Sequence, residues 1–391
     1  MNISNAGKTD FRPTMNYAVT EASVNPKMEN KPSRLLELEL AKGFAIIFMI
    51  FVHVYEIGHD SIVQNDSATV FLKNLIEFLG CVPAAPLFMF CMGVGFAYSK
   101  AKSSQYIKRA GIFILLALLI NVFQHLCPLL FEDNIVEKLI EKAPCIIATD
   151  IYSFVFFAML FIAFVKIFDG ELHIIIAMLF LVVFGIVNAI LSITWAATGN
   201  DWLDNIYGIF VRLNDFSYFP FLIWINFPVI GYVLATLYKN ASNKKHLKFV
   251  LFFAAIVLII TCSVYMKHAG MINSVEFAAV DTEGAYYAMS IPNILYSFGI
   301  VILDIAICSL FLLIRHLDAI HKILFFLSKN IARIYVLQWL FIGLTTHIIE
   351  TFTSIYENML FSLFILILTG LSAYYYDCIK KRIALKSKPL A

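Results

Sequence analysis

The chain has 391 residues, of which 61% are hydrophobic and only 14% are charged, and its mean hydropathy is +0.82. Soluble domains carry about 25% charged residues, so this composition excludes an ordinary soluble protein. The formal net charge is +2, and the basic residues lie at the edges of apolar runs, so no nucleic-acid partner is expected.

Ten apolar segments follow one another along the chain, and most are long enough to cross a bilayer as a helix. They predict an all-α fold, a polytopic integral membrane bundle of about ten transmembrane helices embedded in the lipid bilayer. The predicted helices cover residues 40–58, 76–98, 110–130, 151–168, 172–194, 218–238, 247–266, 292–314, 332–348 and 358–376.

Three regions make up the predicted domain organisation. Residues 1–33 are polar and contain no apolar region of a signal peptide, which predicts a disordered cytoplasmic tail. Residues 34–378 form the predicted transmembrane domain, and residues 379–391 form a basic cytoplasmic tail. The whole pattern predicts a multi-pass protein of the plasma membrane, and we expect a bacterial one; its oligomeric state is left open.

The distribution of basic residues predicts the orientation in the membrane. If the N-terminus is cytoplasmic, all but five of the 29 lysines and arginines fall in cytoplasmic stretches. The opposite loops, at 131–149 and 267–290 for example, are acidic instead. Positive charge is enriched on the cytoplasmic side of membrane proteins, so both termini are predicted to be cytoplasmic.

The seven cysteines form no CxxC pair, and most lie in apolar runs. Cys127 and Cys145 flank one loop and could pair in an oxidising compartment. Packed free thiols are the expectation that the apolar surroundings favour.

The first segment, "RLLELELAKGFAIIFMIFVHVYEIG" at 34–58, carries ionisable residues along one helical face. Glu39, Lys42, Met49, His53 and Glu56 fall within an arc of about 100° at helical periodicity. Ionisable side chains inside a membrane are costly and point to function. Burial disfavours a charged imidazolium, so His53 is expected to be neutral and suited to general base catalysis. The alternative is a histidine that only hydrogen-bonds a neighbouring helix.

Further polar residues lie in or beside the other predicted helices. Each also has a structural interpretation, because single amides often join helices and Asp150 could simply cap a helix. Asp304 needs a partner, for which His125 is a candidate. The spacing of histidines and acids does not match a metal site, so no metal is predicted. The candidate residues lining a polar site are Asn121, His125, Asp150, Asn226, Asp304 and Gln338.

The second segment, "FLGCVPAAPLFMFCMGVGFAYSK", contains two prolines and two glycines. Pro83 and Pro86 are expected to distort its first half and to free backbone carbonyls, which is tolerated beside a cavity. Gly93 and Gly95 are expected to allow another helix to approach closely.

Several stretches together resemble the heparan-alpha-glucosaminide N-acetyltransferase-like family of membrane acyltransferases. The opening motif is similar at Arg34, Leu38, Glu39, Lys42, Gly43, Met49 and His53, although the family has Asp and Arg where this chain has Glu39 and Lys42. Similar stretches follow in the family's order at 84–99, 107–121, 150–160, 218–235 and 327–339. The wider group also includes O-acyltransferases that modify polysaccharides.

The resemblance implies transfer of an acyl group, usually acetyl, from cytoplasmic acyl-CoA to a sugar amine or hydroxyl. The acceptor would be an extracytoplasmic or lipid-linked glycan. His53 would act as the general base or carry the acyl group itself. The CoA phosphates would bind the inner cations Arg34, Lys42 and Arg109, with Glu39 beside them.

Two alternatives from other functional classes are also consistent with the sequence. A transporter or permease also needs polar residues at mid-membrane, but such proteins usually contain internal repeats, and none is visible here. A non-catalytic membrane scaffold is the other.

Overall fold

The structure, a computed structural model, describes residues 35–63, 66–168, 170–212, 214–270 and 286–386. These residues form fifteen α-helices and one isolated backbone bridge, between Thr149 and Ser217. The helical architecture confirms the predicted all-α fold. The predicted polar tail at 1–33 lies outside the described residues.

The helices vary in length from a single turn to 32 residues. They are α1 (Leu36–Gly58), α2 (Ser67–Cys81), α3 (Ala84–Tyr98), α4 (Ser103–Asn121), α5 (Ile135–Lys142), α6 (Ile151–Val165), α7 (Leu172–Thr194), α8 (Asp201–Gly208), α9 (Phe221–Trp224), α10 (Asn226–Asn240), α11 (Lys244–His268), α12 (Ile291–Phe311), α13 (Asp318–Lys329), α14 (Ile331–Ile349) and α15 (Ile355–Lys386). Within the described ranges, nine helical stretches are long and apolar enough to cross a membrane.

The segment predicted to cover 151–168 forms a shorter apolar helix than the other nine predicted spans. Its helix, α6, has only 15 residues, or about 22 Å, against about 30 Å of bilayer hydrocarbon. Eleven of these residues are buried within the protein. Hydropathy cannot distinguish a helix surrounded by protein from one surrounded by lipid, so the sequence does not reveal that this segment is buried in the bundle.

Helix α1 lies at the centre of the bundle. It packs against six other helices, namely α2, α3, α12, α13, α14 and α15. Ile46, Met49 and Ile50 are almost fully buried in the main core. The polar stripe of α1 therefore faces protein, as its spacing predicts.

The predicted distortion of the second segment is confirmed. Helix α2 ends at Cys81, two residues form a turn, and α3 begins at Ala84 with Pro86 in its first turn. The freed carbonyl of Cys81 accepts a hydrogen bond of 2.8 Å from the hydroxyl of Tyr286. The break thus gives one backbone carbonyl a side-chain partner from a distant part of the chain.

Close helix approach occurs at only one of the two predicted glycines. A Cβ at Gly93 would collide with the backbone carbonyl of Pro228 on α10, and Gly231 meets the carbonyl of Phe90 in the same way. Nothing lies within 4 Å of a Cβ at Gly95, so its predicted role is wrong. The contact partner of a glycine depends on the rotation of its helix in the bundle.

Segments predicted on the same side of the membrane make contact with one another. On the predicted cytoplasmic side, Lys248 pairs with Glu37 at 2.8 Å, and the Lys166 ammonium donates to the carbonyl of Ser99 at 2.9 Å. At the other end, the Ser61 hydroxyl donates to the carbonyl of Glu350 at 2.7 Å. These contacts agree with the predicted pairing of loops, while the direction relative to the cytoplasm stays a prediction.

The last helix is longer than predicted. Helix α15 continues to Lys386, ten residues beyond the predicted end of the span. The basic tail predicted at 379–391 therefore begins inside this helix, and residues 387–391 lie outside the described ranges. Arg333 pairs with Asp377 at 2.7 Å and holds this end of the helix against α14.

Candidate active site

His53 contacts one face of α14. Its Nδ1 lies 3.0 Å from Nε2 of Gln338, and its ring centre lies 4.5 Å from the ring of Trp339. The ring of Tyr335 is also close, at 6.2 Å. Residues spaced by three and four share a helical face. Three side chains from one turn of α14 therefore lie beside the imidazole.

Asp150 is connected to the same helix. It directly precedes α6, but its side chain makes no capping hydrogen bond, so the predicted capping role is not observed. Its Oδ1 accepts a hydrogen bond of 2.7 Å from the hydroxyl of Tyr335. Helix α14 thus joins His53 and Asp150 through two neighbouring side chains.

A cavity of about 410 Å³ opens beside His53 and Asp150. Its volume lies at the low end of the range for small-molecule sites. Acidic and imidazole groups from five segments of the chain line it together with a group of aromatic rings. The ionisable lining residues are His53, Glu56, His59, Glu77, His125, Asp150 and Glu350, and the aromatic ones besides Tyr55 and Tyr335 are Tyr218, Phe219, Tyr286, Tyr287 and Trp339.

Four polar atoms on residues that line the cavity are buried without a hydrogen-bond partner among the residues that the structure describes. They are Oε1 of Gln124, Nε2 of His125, Oδ2 of Asp150 and Nε1 of Trp339. Buried polar groups normally have partners, and exceptions call for an explanation such as a ligand. Gln124 Oε1 and Asp150 Oδ2 accept, Trp339 Nε1 donates, and His125 Nε2 does either according to its tautomer, so the set suits a polar bound molecule.

Gln124 and His125 belong to a π-helical turn, Val122–Leu126, which follows directly on α4. Short π-helical turns often occur at functional sites because the extra residue redirects the side chains. His125 lies parallel to the ring of Tyr218, with ring centres 6.4 Å apart, and edge-on to Phe216 at 5.5 Å. The sequence singled out His125 but gave no indication of the π turn.

Tyr286 and Tyr287 are site residues that the sequence analysis missed. Burial, together with the nearby Glu56 carboxylate, raises the pKa of each phenol well above its usual value. Both hydroxyls therefore stay protonated, and that of Tyr286 donates to the Cys81 carbonyl. The only signal was the adjacent Tyr pair itself, just before the eighth segment, and a Tyr pair is common at membrane ends.

The described residues that were predicted to bind the CoA phosphates at the cytoplasmic end lie apart from the cavity. Lys42 forms an ion pair of 2.9 Å with Glu39, and Glu39 also accepts a hydrogen bond of 2.7 Å from Ser328. Eleven residues separate Lys42 from His53 on α1, or about 16 Å along the axis. Arg109 is exposed on α4, and Arg34 lies outside the described residues.

Four other predicted lining residues, Asn121, Asn226, Asp304 and Gln338, are not among the residues that line the cavity. The amide of Asn121 donates to the carbonyls of Ile146 and Ala148, both at 2.8 Å, and so anchors the backbone before Asp150. The amide of Asn226 donates to the nearby carbonyl of Ile223 at 2.6 Å.

Asp304 contacts a residue on its own helix, α12, rather than His125 in the π-helical turn. Its Oδ1 lies 3.9 Å from Sγ of Cys308, so the predicted partnership with His125 is wrong. Cys308, Cys127 and Cys145 are among the seven cysteines that are free thiols. Among the described side chains, no group of three or more His, Cys, Asp or Glu could hold a metal ion.

The fold and the cavity define a multi-pass integral membrane protein with a polar, partly acidic site among its helices. The family model for the acyltransferase domain matches residues 35–377, which is most of the chain, so the protein belongs to this family of transmembrane acyltransferases. No curated protein and no solved structure matches the chain. Family membership favours an acyl-transferring enzyme over the transporter and scaffold alternatives.

Proposed function

We propose that this membrane acyltransferase moves an acetyl group from cytoplasmic acyl-CoA to a hydroxyl or amine of a glycan, with His53 as general base. The resemblance to the heparan-alpha-glucosaminide N-acetyltransferase-like family supports the donor and the acceptor class. The observation that carries the proposal is the position of His53, which lies at the wall of a cavity with several unpartnered polar atoms.

The imidazole of His53 carries one proton from the acceptor to the leaving group in the proposed reaction. The acceptor oxygen or nitrogen attacks the thioester carbonyl while His53 takes its proton. The carbon–sulfur bond then breaks, and the leaving CoA thiolate receives that proton from the imidazolium. Acyl-CoA and the acceptor become CoA thiol and an acylated sugar.

Gln338 determines which ring nitrogen of His53 is basic. An amide can turn either its oxygen or its nitrogen toward Nδ1, and the two orientations select different tautomers. The structure has the amide nitrogen 3.0 Å from Nδ1. With the amide turned over so that its oxygen faces Nδ1, Nδ1 carries the proton and Nε2 keeps a lone pair for the acceptor. General base catalysis by Nε2 requires this orientation.

Cations at the cytoplasmic end are the proposed binding groups for the CoA phosphates. Arg109 is exposed on α4, while Lys42 already pairs with Glu39, so a phosphate would compete for Lys42. Both residues lie in stretches that the distribution of basic residues predicts as cytoplasmic. The proposed location is a bacterial plasma membrane.

The test is acetyl transfer by the purified protein in detergent, with radiolabelled acetyl-CoA and a panel of glycans. Wild-type protein should label at least one glycan, and His53→Ala should not. His347→Ala is the matched control, because His347 is an exposed histidine on α14 that is not among the cavity-lining residues. Transfer by His53→Ala at the wild-type rate would refute the role of His53.

A further inference from the structure

The cavity beside His53 is lined by several acidic side chains. Carboxylates reach it from α1 (Glu56), α2 (Glu77), the residue before α6 (Asp150) and the residue after α14 (Glu350). Lys73 lies 4.0 Å from Glu77 and compensates part of one charge. Four acidic residues in one lining give it a negative character that repels an anionic ligand.

Two deeply buried side chains supply complementary hydrogen-bonding atoms. Asp150 is 3% exposed and Trp339 is 5% exposed. Oδ2 of Asp150 accepts and Nε1 of Trp339 donates, and neither makes a hydrogen bond of normal geometry with a described residue. A hydroxyl both donates and accepts, so a hydroxyl-bearing ligand satisfies both atoms.

Aromatic rings supply the apolar part of the lining. The rings of Tyr218 and Tyr287 lie 5.2 Å apart, and those of Tyr286 and Tyr287 lie 4.9 Å apart. Together with Trp339 they present flat, rigid surfaces with polar edges. The C–H face of a sugar ring packs on such surfaces while its hydroxyls reach the polar edges.

We propose that this cavity is the acceptor subsite, and that it takes a sugar ring bearing hydroxyl or amine groups and no anionic group. The inference rests on the proposed acyl transfer to a glycan and adds the place and the charge of the acceptor ring. Uronic acids and phosphorylated sugars are excluded by the carboxylates, whereas an ammonium group is tolerated by them and by the aromatic faces.

Ligand-detected saturation-transfer NMR on the purified full chain in detergent tests the binding directly. The probes are the methyl glycosides of glucose, glucosamine and glucuronic acid, which share one ring and differ in charge. The glucoside and the glucosaminide should show saturation transfer, and the glucuronide should bind at least about tenfold more weakly. Trp339→Phe should weaken binding of the first two, because it removes the indole N–H.

A charge-reversal variant tests whether the selectivity arises in the cavity. Glu350 lines the cavity but is exposed, so Glu350→Lys should fold and should reduce the discrimination against the glucuronide. Glu171→Lys makes the same change of net charge at an exposed position outside the cavity lining and should leave the discrimination unchanged. Equal effects of the two variants would overturn the assignment.

The outcomes separate this inference from the proposed function. Equal binding of all three glycosides, or binding of none, overturns the acceptor subsite even if acetyl transfer is observed. Selective binding of the uncharged and amine-bearing glycosides without any acetyl transfer supports the subsite and refutes the transferase proposal.

Discussion

His53 is the residue on which the proposed chemistry depends, and replacement by Asn tests it more sharply than Ala. Asparagine keeps a hydrogen-bonding group beside Gln338 but cannot take a proton at neutral pH. We expect His53→Asn to lower the rate of acetyl transfer by about 10²- to 10⁴-fold, the range for loss of a general base. Transfer is measured with radiolabelled acetyl-CoA under saturating donor.

The same variant should keep the ability to bind CoA. Lys42, one of the proposed phosphate-binding cations, lies about 16 Å from His53 along α1, so calorimetry should give an unchanged affinity. A histidine that only joined two helices would be partly replaced by Asn. Near-normal transfer by His53→Asn would therefore show that the imidazole is structural.

Gln338 is expected to act as a positioning residue for His53. Gln338→Leu removes the contact at 3.0 Å and frees the ring, so kcat should fall by about 10- to 100-fold while KM for acetyl-CoA stays the same. Gln338→Glu keeps an oxygen that can accept from Nδ1–H, and it should recover most of the rate. Steady-state kinetics in detergent measure both parameters.

The comparison of these two variants decides the orientation of the amide. If Gln338 donates to Nδ1 through its nitrogen, glutamate cannot replace it, and Gln338→Glu should be as slow as Gln338→Leu. That result would leave Nε2 protonated in the resting enzyme and would contradict its role as the base.

At the scale of helices, the crossing of α3 and α10 depends on glycine. Gly93→Ala places a methyl group against the Pro228 carbonyl, which must move. Forced overpacking costs about 1–3 kcal/mol, so the midpoint of thermal unfolding in detergent should fall. Gly95→Ala is the matched control, because no neighbouring atom lies within 4 Å of its Cβ, and it should not be destabilised. Equal stability of the two variants would contradict the close crossing.

The start of the short helix α6 is held in place by contacts that position Asp150 in the site. Its first turn follows Asp150, and Asn121 fixes the preceding backbone through two hydrogen bonds. The hydroxyl of Tyr152 donates to the carbonyl of Ala332 at 2.8 Å, which ties the same turn to the start of α14. The position of Asp150 therefore results from contacts with α4 and α14 rather than from α6 alone.

For the whole molecule, the testable quantity is orientation in the membrane. On a background without the native cysteines, Lys244→Cys in intact cells should resist a membrane-impermeant maleimide, because the basic stretch 239–248 is predicted to be cytoplasmic. Glu137→Cys, in the acidic loop 131–149, should react. Both positions are exposed, so accessibility within the protein is matched. The opposite labelling pattern would invert the predicted topology and would also place the cavity on the cytoplasmic side.

The sequence by itself determined the helical membrane fold, the first-helix histidine and the distortion at Pro83. Each follows from local properties, namely apolar length, the period of an α-helix and the missing N–H of proline. The sequence also marked Asp150, His125 and Gln338 as polar residues in apolar surroundings. The sequence could not distinguish these site residues from Asn226 and Asp304, because each is a polar residue in an apolar segment.

Only the tertiary structure decided which polar residues meet. His53, Gln338 and Asp150 come together because α14 presents three side chains from one turn to α1 and α6, a matter of helix rotation in the bundle. Tyr286 and Tyr287 reach the cavity through long-range packing. The burial of α6 was equally undetermined by hydropathy, since lipid and protein interior are both apolar. Contacts between distant segments depend on how helices are placed, and that information is not local to any stretch of sequence.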